Sequence, residues 1–307
     1  MIKFAKAFFY FILSALPFLA CKSTYKRPVA IPEGFDWEGH RGCRGLMPEN
    51  TLPAFMHALT FPQVVTLELD LAVTKDKQLI VSHEPYFNSD ICLKPSGDTI
   101  RKSEESQFLI YEMTAAEVQQ FDCGSIGNHR FPDQQKQKVY KPLFRDVVLA
   151  AKEKRPDIHW NIEIKSQANW DGKRHPAVED FAHLVIAEIQ NLGIEKNAVV
   201  QSFDVRALKA MHEFAPQIPL AFLIENMESF ESNMTRLDFT PAIYSPYYLT
   251  VTKKMADECH ARNIKLIPWT VNEVPAMRRL IRLGVDGIIT DYPNKIAEVG
   301  SKSSDKK

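Results

Sequence analysis

Short apolar runs alternate with longer amphipathic stretches along the chain from residue 35 onward. Strand-like runs separated by helical patterns are typical of βαβ units in a parallel sheet. The strand-like runs are Phe35–Gly39, Val64–Val73, Leu79–Ser82, His159–Ile164, Ala198–Ser202, Pro219–Ile224, Ala242–Ser245, Ile264–Trp269 and Gly287–Thr290, and the clearest helical patterns are Ala177–Leu192, Val205–Phe214, Thr252–Arg262 and Val274–Leu283. Their number favours an α/β fold of the (β/α)8 TIM-barrel type over an open sheet. No glycine-rich dinucleotide fingerprint follows the first run, which argues against a Rossmann-type domain.

One region interrupts this alternation between the second and third predicted barrel strands. Residues 84–142 are rich in turn-forming and polar positions, and a connection of that length is usually functional or a small inserted unit. We expect it to be an insertion over the barrel mouth. The predicted barrel domain as a whole covers residues 34–298, preceded by a polar tether at 22–33 and followed by a disordered polar tail at 299–307.

The N-terminus has the pattern of an export signal. Lys3 and Lys6 are followed by the apolar stretch Ala7–Ala20, which is short for a membrane span and is followed at once by Cys21. This resembles a bacterial lipoprotein processing site, so we expect residues 1–20 to be removed and Cys21 to carry lipid. The expected location is then a bacterial membrane, facing the periplasm or the cell surface. A plain signal peptide with an incidental cysteine is the alternative.

Composition limits the possible partners. Lys plus Arg and Asp plus Glu both number 38, so the formal net charge is zero and no basic stripe for nucleic acid is present. The four other cysteines, Cys43, Cys92, Cys123 and Cys259, show no CxxC pair and no zinc spacing. Cys92 and Cys123 share the inserted region and either pair or remain free thiols. No protein partner is predicted.

Charged residues gather where predicted strands end, which in a barrel is the catalytic face. The first strand ends in His40 and Arg41, and His83 ends the third run. Glu68 and Asp70 are two positions apart and therefore share one face of their strand. Inward carboxylates are costly unless they are paired or bind a cation.

Glu163 and Lys165 repeat the same two-residue spacing on the strand that follows the inserted region. Three inward carboxylates from two strands would suit a hard divalent cation. Asn50 or Thr51 is expected to cap the following helix, and Asp291 is expected to serve turn formation and barrel closure.

The order of these pieces resembles the glycerophosphodiester phosphodiesterase family of TIM-barrel enzymes. The matching segments are Gly39–Gly42, Pro48–Thr51, Ala54–Phe55, Glu68–Asp70, Thr74–Asp76, His83, Glu163–Lys165, Gln201–Asp204, Trp269–Asn272 and Gly284–Pro293. One departure is Glu84, where the family usually has Asp after the second histidine; the acidic group is kept.

The resemblance implies metal-dependent hydrolysis of glycerophosphodiesters to glycerol phosphate and an alcohol. It assigns general acid and base roles to His40 and His83, with the neighbouring glycerol hydroxyl attacking phosphorus to give a cyclic phosphate that water opens. The resemblance also implies that Glu68, Asp70 and Glu163 hold one Ca²⁺ or Mg²⁺. It implies substrate contacts as well: Arg41 binds the phosphate, Lys165 adds positive charge at the same oxygens, and Trp269 forms an apolar wall.

Two other functions fit the same features. A phospholipase of C or D type acting on intact lipids would use the same two-histidine barrel. A non-catalytic surface lipoprotein that binds a ligand would be expected to have lost a histidine or a carboxylate, and all of them are present.

Overall fold

The computed structural model describes residues 28–300, and these form a nearly closed barrel of eight parallel strands with helices between them. The strands are β1 (Asp36–Gly39), β2 (Thr66–Val73), β3 (Leu79–Val81), β4 (His159–Ile164), β5 (Ala198–Ser202), β6 (Leu220–Ile224), β7 (Ile243–Pro246), β8 (Lys265–Leu266) and β9 (Gly287–Thr290). The barrel order is β8-β7-β6-β5-β4-β2-β1-β9, with β3 outside this path. Backbone hydrogen bonds also join the segments around β8 and β9, including Asp286 N to Leu266 O at 2.9 Å and Ile289 N to Pro268 O at 3.1 Å. The predicted TIM barrel is confirmed.

Helices follow most of the barrel strands. The α-helices are α1 (Leu52–Ala58), α2 (Ala115–Val118), α3 (Phe144–Lys154), α4 (Val178–Asn191), α5 (Val205–Phe214), α6 (Phe230–Met234), α7 (Lys253–His260), α8 (Val274–Leu283) and α9 (Ile296–Val299), and short 3-10 helices cover Lys102–Gln107, Ile110–Glu112, Ala168–Trp170, Tyr248–Thr250 and Pro293–Lys295. Thr51 caps α1, since its side chain accepts from Ala54 N, and Gly284 ends α8 in the left-handed conformation. α9 ends at Val299, whose side chain is fully buried, so the packed domain extends beyond residue 298.

Strand β2 shows how the sequence pattern places the site. All eight of its residues are buried, because both faces of a barrel strand are covered. Leu67, Leu69 and Leu71 belong to the main apolar core, which lies between the sheet and the helices. Glu68 and Asp70 alternate with these leucines and therefore project to the other face, the barrel interior.

The inserted region is tied to the barrel through β3. This short strand pairs antiparallel with the end of β2, with Leu71 opposite Val81, so the Leu79–Ser82 run adds no barrel strand. The region has its own apolar cluster, in which Phe87 stacks on Phe121 with ring centroids 3.7 Å apart. A disulfide joins Cys92 to Cys123, whereas Cys43 and Cys259 are buried free thiols.

The leader and its cysteine lie outside the described residues, as do most of the tether and residues 301–307 of the tail. Within residues 28–300, no helix combines the length and apolar character needed to cross a membrane.

Candidate active site

The turn after β1 brings the first functional residues against β2. Arg41 and Asn50 both have positive φ values, 50° and 55°, and Gly42 has φ 81°. Such values are uncommon for residues with a side chain, and they are concentrated at functional sites. Gly42 also packs so closely that a Cβ atom there would lie 2.6 Å from the carbonyl carbon of Ala54. The backbone N–H of Arg41 donates to Glu68 Oε2 at 2.9 Å, which fixes the turn to the carboxylates.

Glu68, Asp70 and Glu163 form a buried acidic cluster in the barrel interior. One oxygen from each lies within 4.8 Å of the others. The register explains this closeness, because Asp70 on β2 is the direct neighbour of Glu163 on β4. Asp70 Oδ1 is buried and accepts no well-oriented hydrogen bond, although Lys165 Nζ lies 3.2 Å away. Three carboxylate ligands, one of them with this oxygen, fit a hard divalent cation such as Ca²⁺ or Mg²⁺.

Neighbouring side chains hold these carboxylates in place. Gln201 donates to Glu68 Oε1 at 2.8 Å, and Asn50 donates to Asp70 Oδ2 at 2.7 Å. Lys165 Nζ lies 2.7 Å from Glu163 Oε1 and 3.2 Å from Asp70 Oδ1. Lys165 therefore lies against the acidic cluster, where its positive charge offsets the repulsion between the carboxylates.

The electrostatic balance differs among the three acids. Burial raises the pKa of Glu68 well above its usual range, and the charge of Asp70 adds to this. Burial also raises the pKa of Glu163, to about 7, although Lys165 opposes the rise. For Asp70 the burial effect is outweighed by Lys165 and Arg41, which hold its pKa well below the ordinary value. The raised pKa values of Glu68 and Glu163 mean that their ionised forms are energetically costly here. A bound cation would stabilise these ionised forms.

His40 is oriented by a carboxylate from the far end of the chain. Its Nδ1 lies 2.6 Å from Asp291 Oδ1, and its Nε2 lies 3.8 Å from Glu68 Oε2. Burial lowers the pKa of His40 to about 4, and the nearby Arg44 guanidinium adds to this effect. The imidazole is therefore neutral near pH 7, and Asp291 favours the tautomer with the proton on Nδ1. Its Nε2 is then left as a proton acceptor beside the acidic cluster.

Asp291 was expected only to form a turn, and that interpretation is incomplete. Besides His40, it accepts from Arg44 at 2.9 and 3.1 Å and from Asn272 at 2.7 Å. Burial would raise its pKa, but His40 and Arg44 outweigh this and hold the pKa far below the usual range. Asp291 is thus an ionised carboxylate that fixes a site histidine.

His83 lies at the more open side of the site. Its Nδ1 is 2.8 Å from Glu84 Oε1, and 31% of its side chain is exposed. Burial lowers the pKa of His83, with Arg41 adding to the effect, while the hydrogen bond to Glu84 opposes it. The acidic residue after the second histidine therefore contacts that histidine directly.

Arg41 and Trp269 form two further parts of the site. The Arg41 guanidinium donates to Glu49 at 2.7 Å and lies 3.1 Å from Asp70, so Glu49 supports the site as well as the loop. Trp269 donates from Nε1 to Ser245 O at 2.9 Å and meets Phe203 edge-on with centroids 5.3 Å apart. Its ring plane is thereby fixed beside the cleft.

A single cleft of about 1040 Å³ joins these groups at the barrel mouth. Of the eight residues predicted for the site, seven line it, and the eighth, Asp70, is bound to Arg41 and Lys165 on its wall. The lining members are His40, Arg41, Glu68, His83, Glu163, Lys165 and Trp269. The arrangement offers a cation site, two histidines and positive side chains in one water-accessible cleft, which suits phosphoryl chemistry.

Known proteins support this interpretation. The sequence profile of the glycerophosphoryl diester phosphodiesterase family matches residues 40–295. A glycerophosphodiester phosphodiesterase from Bacillus altitudinis is 30% identical over 264 residues, covering 85% of this chain and 96% of that protein.

Two solved structures share the fold. A Silicibacter pomeroyi protein assigned to the glycerophosphoryl diester phosphodiesterases aligns with TM-score 0.79 at 27% identity, over 91% of this chain and 96% of its own. An Oleispira antarctica phosphodiesterase in complex with the product sn-glycerol-3-phosphate aligns with TM-score 0.69 at 20% identity, over 86% of this chain and 96% of its own. With its barrel and its cleft, the chain therefore belongs to the glycerophosphoryl diester phosphodiesterase family of enzymes.

Proposed function

We propose that this enzyme hydrolyses glycerophosphodiesters to glycerol phosphate and an alcohol with one divalent cation and two histidines. The observation that carries the proposal is the placement of the acidic cluster and both histidines in one cleft. The family membership and the glycerol phosphate found in the Oleispira relative support the substrate class.

Glu68, Asp70 and Glu163 would hold the cation, Ca²⁺ or Mg²⁺. When bound, such a cation would neutralise charge at the phosphoryl oxygens and make phosphorus easier to attack. Arg41 and Lys165 both contact Asp70 and add fixed positive charge beside the acidic cluster. Trp269 supplies an apolar surface for the glycerol or alcohol half of the substrate.

The histidines divide the proton transfers between them. His40 Nε2 accepts the proton of the glycerol hydroxyl next to the ester as that oxygen bonds to phosphorus, because Asp291 occupies Nδ1. The phosphorus–oxygen bond to the alcohol breaks, and His83 donates a proton to the leaving oxygen. Glu84 and the substrate phosphate favour the protonated form of His83 beforehand. Water then opens the cyclic phosphate with the two roles exchanged.

The test is release of glycerol phosphate from glycerophosphocholine and glycerophosphoethanolamine with Ca²⁺, with Mg²⁺ and with EDTA. We expect metal-dependent release that His40→Ala abolishes. His129→Ala is the matched control, because His129 is exposed and lies outside the cleft. Release in EDTA would contradict the metal role, and turnover of intact or lysophospholipid alone would favour the phospholipase.

Export and lipid attachment at Cys21 remain part of the proposal. The Cys92–Cys123 disulfide supports export, since such bonds persist in oxidising compartments. Metabolic labelling of the producing bacterium with radioactive palmitate should label the full-length chain but not the Cys21→Ser variant. Equal labelling of both chains would contradict lipidation at this cysteine.

A further inference from the structure

Arg174 is a cleft residue for which the proposed reaction gives no role. It lies in the loop after β4, and its guanidinium carbon stands 5.2 Å from the Trp170 ring and 5.6 Å from the Tyr86 ring. All three residues line the cleft. Two aromatic side chains from separate parts of the chain, the β4 loop and the inserted region, thus flank one guanidinium.

The charge of Arg174 is not neutralised by the protein. Within residues 28–300 no carboxylate lies at ion-pair distance from its guanidinium, and the guanidinium makes no hydrogen bond. The nearby acids have other partners: Asp171 binds Arg206 at 2.8 and 3.2 Å, and Glu84 binds His83 at 2.8 Å. The planar donors of Arg174 are therefore available to a ligand.

Hydrogen bonds and an ion pair hold the loop that carries Arg174 in place. His175 is buried, accepts from Gln167 N at 3.2 Å and lies 2.6 Å from Pro176 O. The Asp171–Arg206 pair joins the loop to α5. Stacking on Trp170 and Tyr86 restricts the Arg174 side chain further, so little entropy is lost when it binds an anion.

Acidic and basic side chains are unevenly distributed around the barrel mouth. Among the cleft carboxylates, Glu273 follows β8, which lies opposite β4 in the barrel order, whereas Glu225 follows β6, two strands away from β4. Arg174 therefore makes the β4 side of the mouth favourable for negative charge. The acidic cluster and the scissile-phosphate contacts lie deeper, among Glu68, Glu163 and Lys165.

We propose that Arg174, held between Trp170 and Tyr86, binds a second anionic group on the alcohol half of the substrate. The group is a carboxylate or a second phosphate, and its recognition favours glycerophosphodiesters whose alcohol half carries such a group over those whose alcohol half lacks one. This inference rests on the proposed function and adds a specificity determinant to it.

Two matched substrate pairs test the proposal. Glycerophosphoserine differs from glycerophosphoethanolamine by one carboxylate, and bis(glycerophospho)glycerol differs from glycerophosphoglycerol by a second charged phosphodiester. For each pair, kcat/KM is measured with the wild-type enzyme and with Arg174→Gln, Arg174→Lys and Lys173→Gln. Lys173 is the matched control, because it is the exposed cation next in sequence and does not line the cleft.

Within each pair, the ratio compares kcat/KM for the substrate that carries the additional anionic group with kcat/KM for the substrate that lacks it. We expect Arg174→Gln to lower this ratio by about tenfold in at least one pair, mainly through KM. The pair that responds identifies the carboxylate or the phosphate as the preferred group. Arg174→Lys should keep part of this substrate preference, because lysine retains the positive charge but lacks the planar guanidinium that stacks on aromatic rings. Lys173→Gln should leave the preference unchanged. Unfolding temperature checks that each variant is folded.

Unchanged ratios in Arg174→Gln would overturn the inference, as would an equal loss on all four substrates. Either result would leave the proposed function intact, because glycerophosphoethanolamine is still hydrolysed by the wild-type enzyme. Absence of turnover with all four diesters would instead overturn the proposed function and this inference with it.

Discussion

At the scale of single residues, Asp291 has a larger structural role in the site than a turn-forming residue would have. It contacts His40 and Arg44 in the turn after β1 and Asn272 in the loop after β8, which are two distant parts of the chain. A carboxylate that orients an imidazole sets which ring nitrogen is free to take a proton. The geometry therefore makes Asp291 a positioning residue for His40.

We expect Asp291→Asn to lower kcat for glycerophosphoethanolamine by about a hundredfold with little change in KM, because His40, the proposed general base, loses its orientation. Asp286→Asn is the matched control, since Asp286 also faces a histidine, His260, at 2.9 Å but at the other end of β9. Equal loss in both variants would contradict a specific role for Asp291.

The same carboxylate gives a pH-dependent contribution to stability. Its folded pKa is depressed by His40 and Arg44, so the contribution is present above the unfolded value of about 3.9 and is lost as the pH falls toward the folded value. Urea unfolding should show Asp291→Asn less stable by about 3 kcal/mol at pH 7. The difference should narrow below about pH 4, and a constant difference down to pH 3 would contradict the assignment.

At the scale of elements, the turn between β1 and α1 depends on the absence of a side chain at Gly42. A Cβ there would meet Ala54 backbone at 2.6 Å, whereas Gly97 has a similar φ of 89° and open space around it. Gly97→Ala should cost about 1 kcal/mol through φ alone. Gly42→Ala should cost clearly more and should also lower activity, as measured by urea unfolding and turnover. Equal costs would show that space at Gly42 is not limiting.

The inserted region depends on its disulfide as well as its apolar cluster. Cys92 and Cys123 are 31 residues apart in sequence. Closing a loop of this size stabilises the fold by about 3 kcal/mol, so the double variant Cys92→Ser/Cys123→Ser should unfold at a lower temperature. Reductant should lower the wild-type unfolding temperature and leave the double variant unchanged. A reductant effect on both would point instead to another cause.

At the scale of the whole molecule, the proposed metal site would contribute to stability. Glu68, Asp70 and Glu163 come from β2 and β4, so a cation bound there would join neighbouring barrel strands. A ligand at 100 times its Kd adds about 2.7 kcal/mol to the free energy of unfolding. We expect Ca²⁺ or Mg²⁺ to raise the unfolding temperature and EDTA to reverse this. Asp70→Asn should lose the shift, and a shift that persists in that variant would place the metal elsewhere.

Much of the fold and site could be predicted because the signals are local. The alternation of Leu67, Leu69 and Leu71 with Glu68 and Asp70 already separates an apolar face from an acidic one. The histidine and carboxylate motifs lie at strand ends, and parallel strands bring their ends to one rim. The run Leu79–Ser82 shows the limit, since a strand pattern does not reveal whether its partner is parallel or antiparallel.

The sequence by itself determined the barrel, the acidic cluster and the two histidines, because periodicity and strand-end position need only neighbouring residues. The tertiary structure decided which groups support them. Asp291 is 251 positions from His40, and Gln201 is 133 from Glu68, so only barrel closure and strand order bring these pairs together. The contact between Arg174 and Tyr86 likewise joins the loop after β4 to the inserted region. Such long-range contacts depend on packing in three dimensions, and no spacing along the chain encodes them.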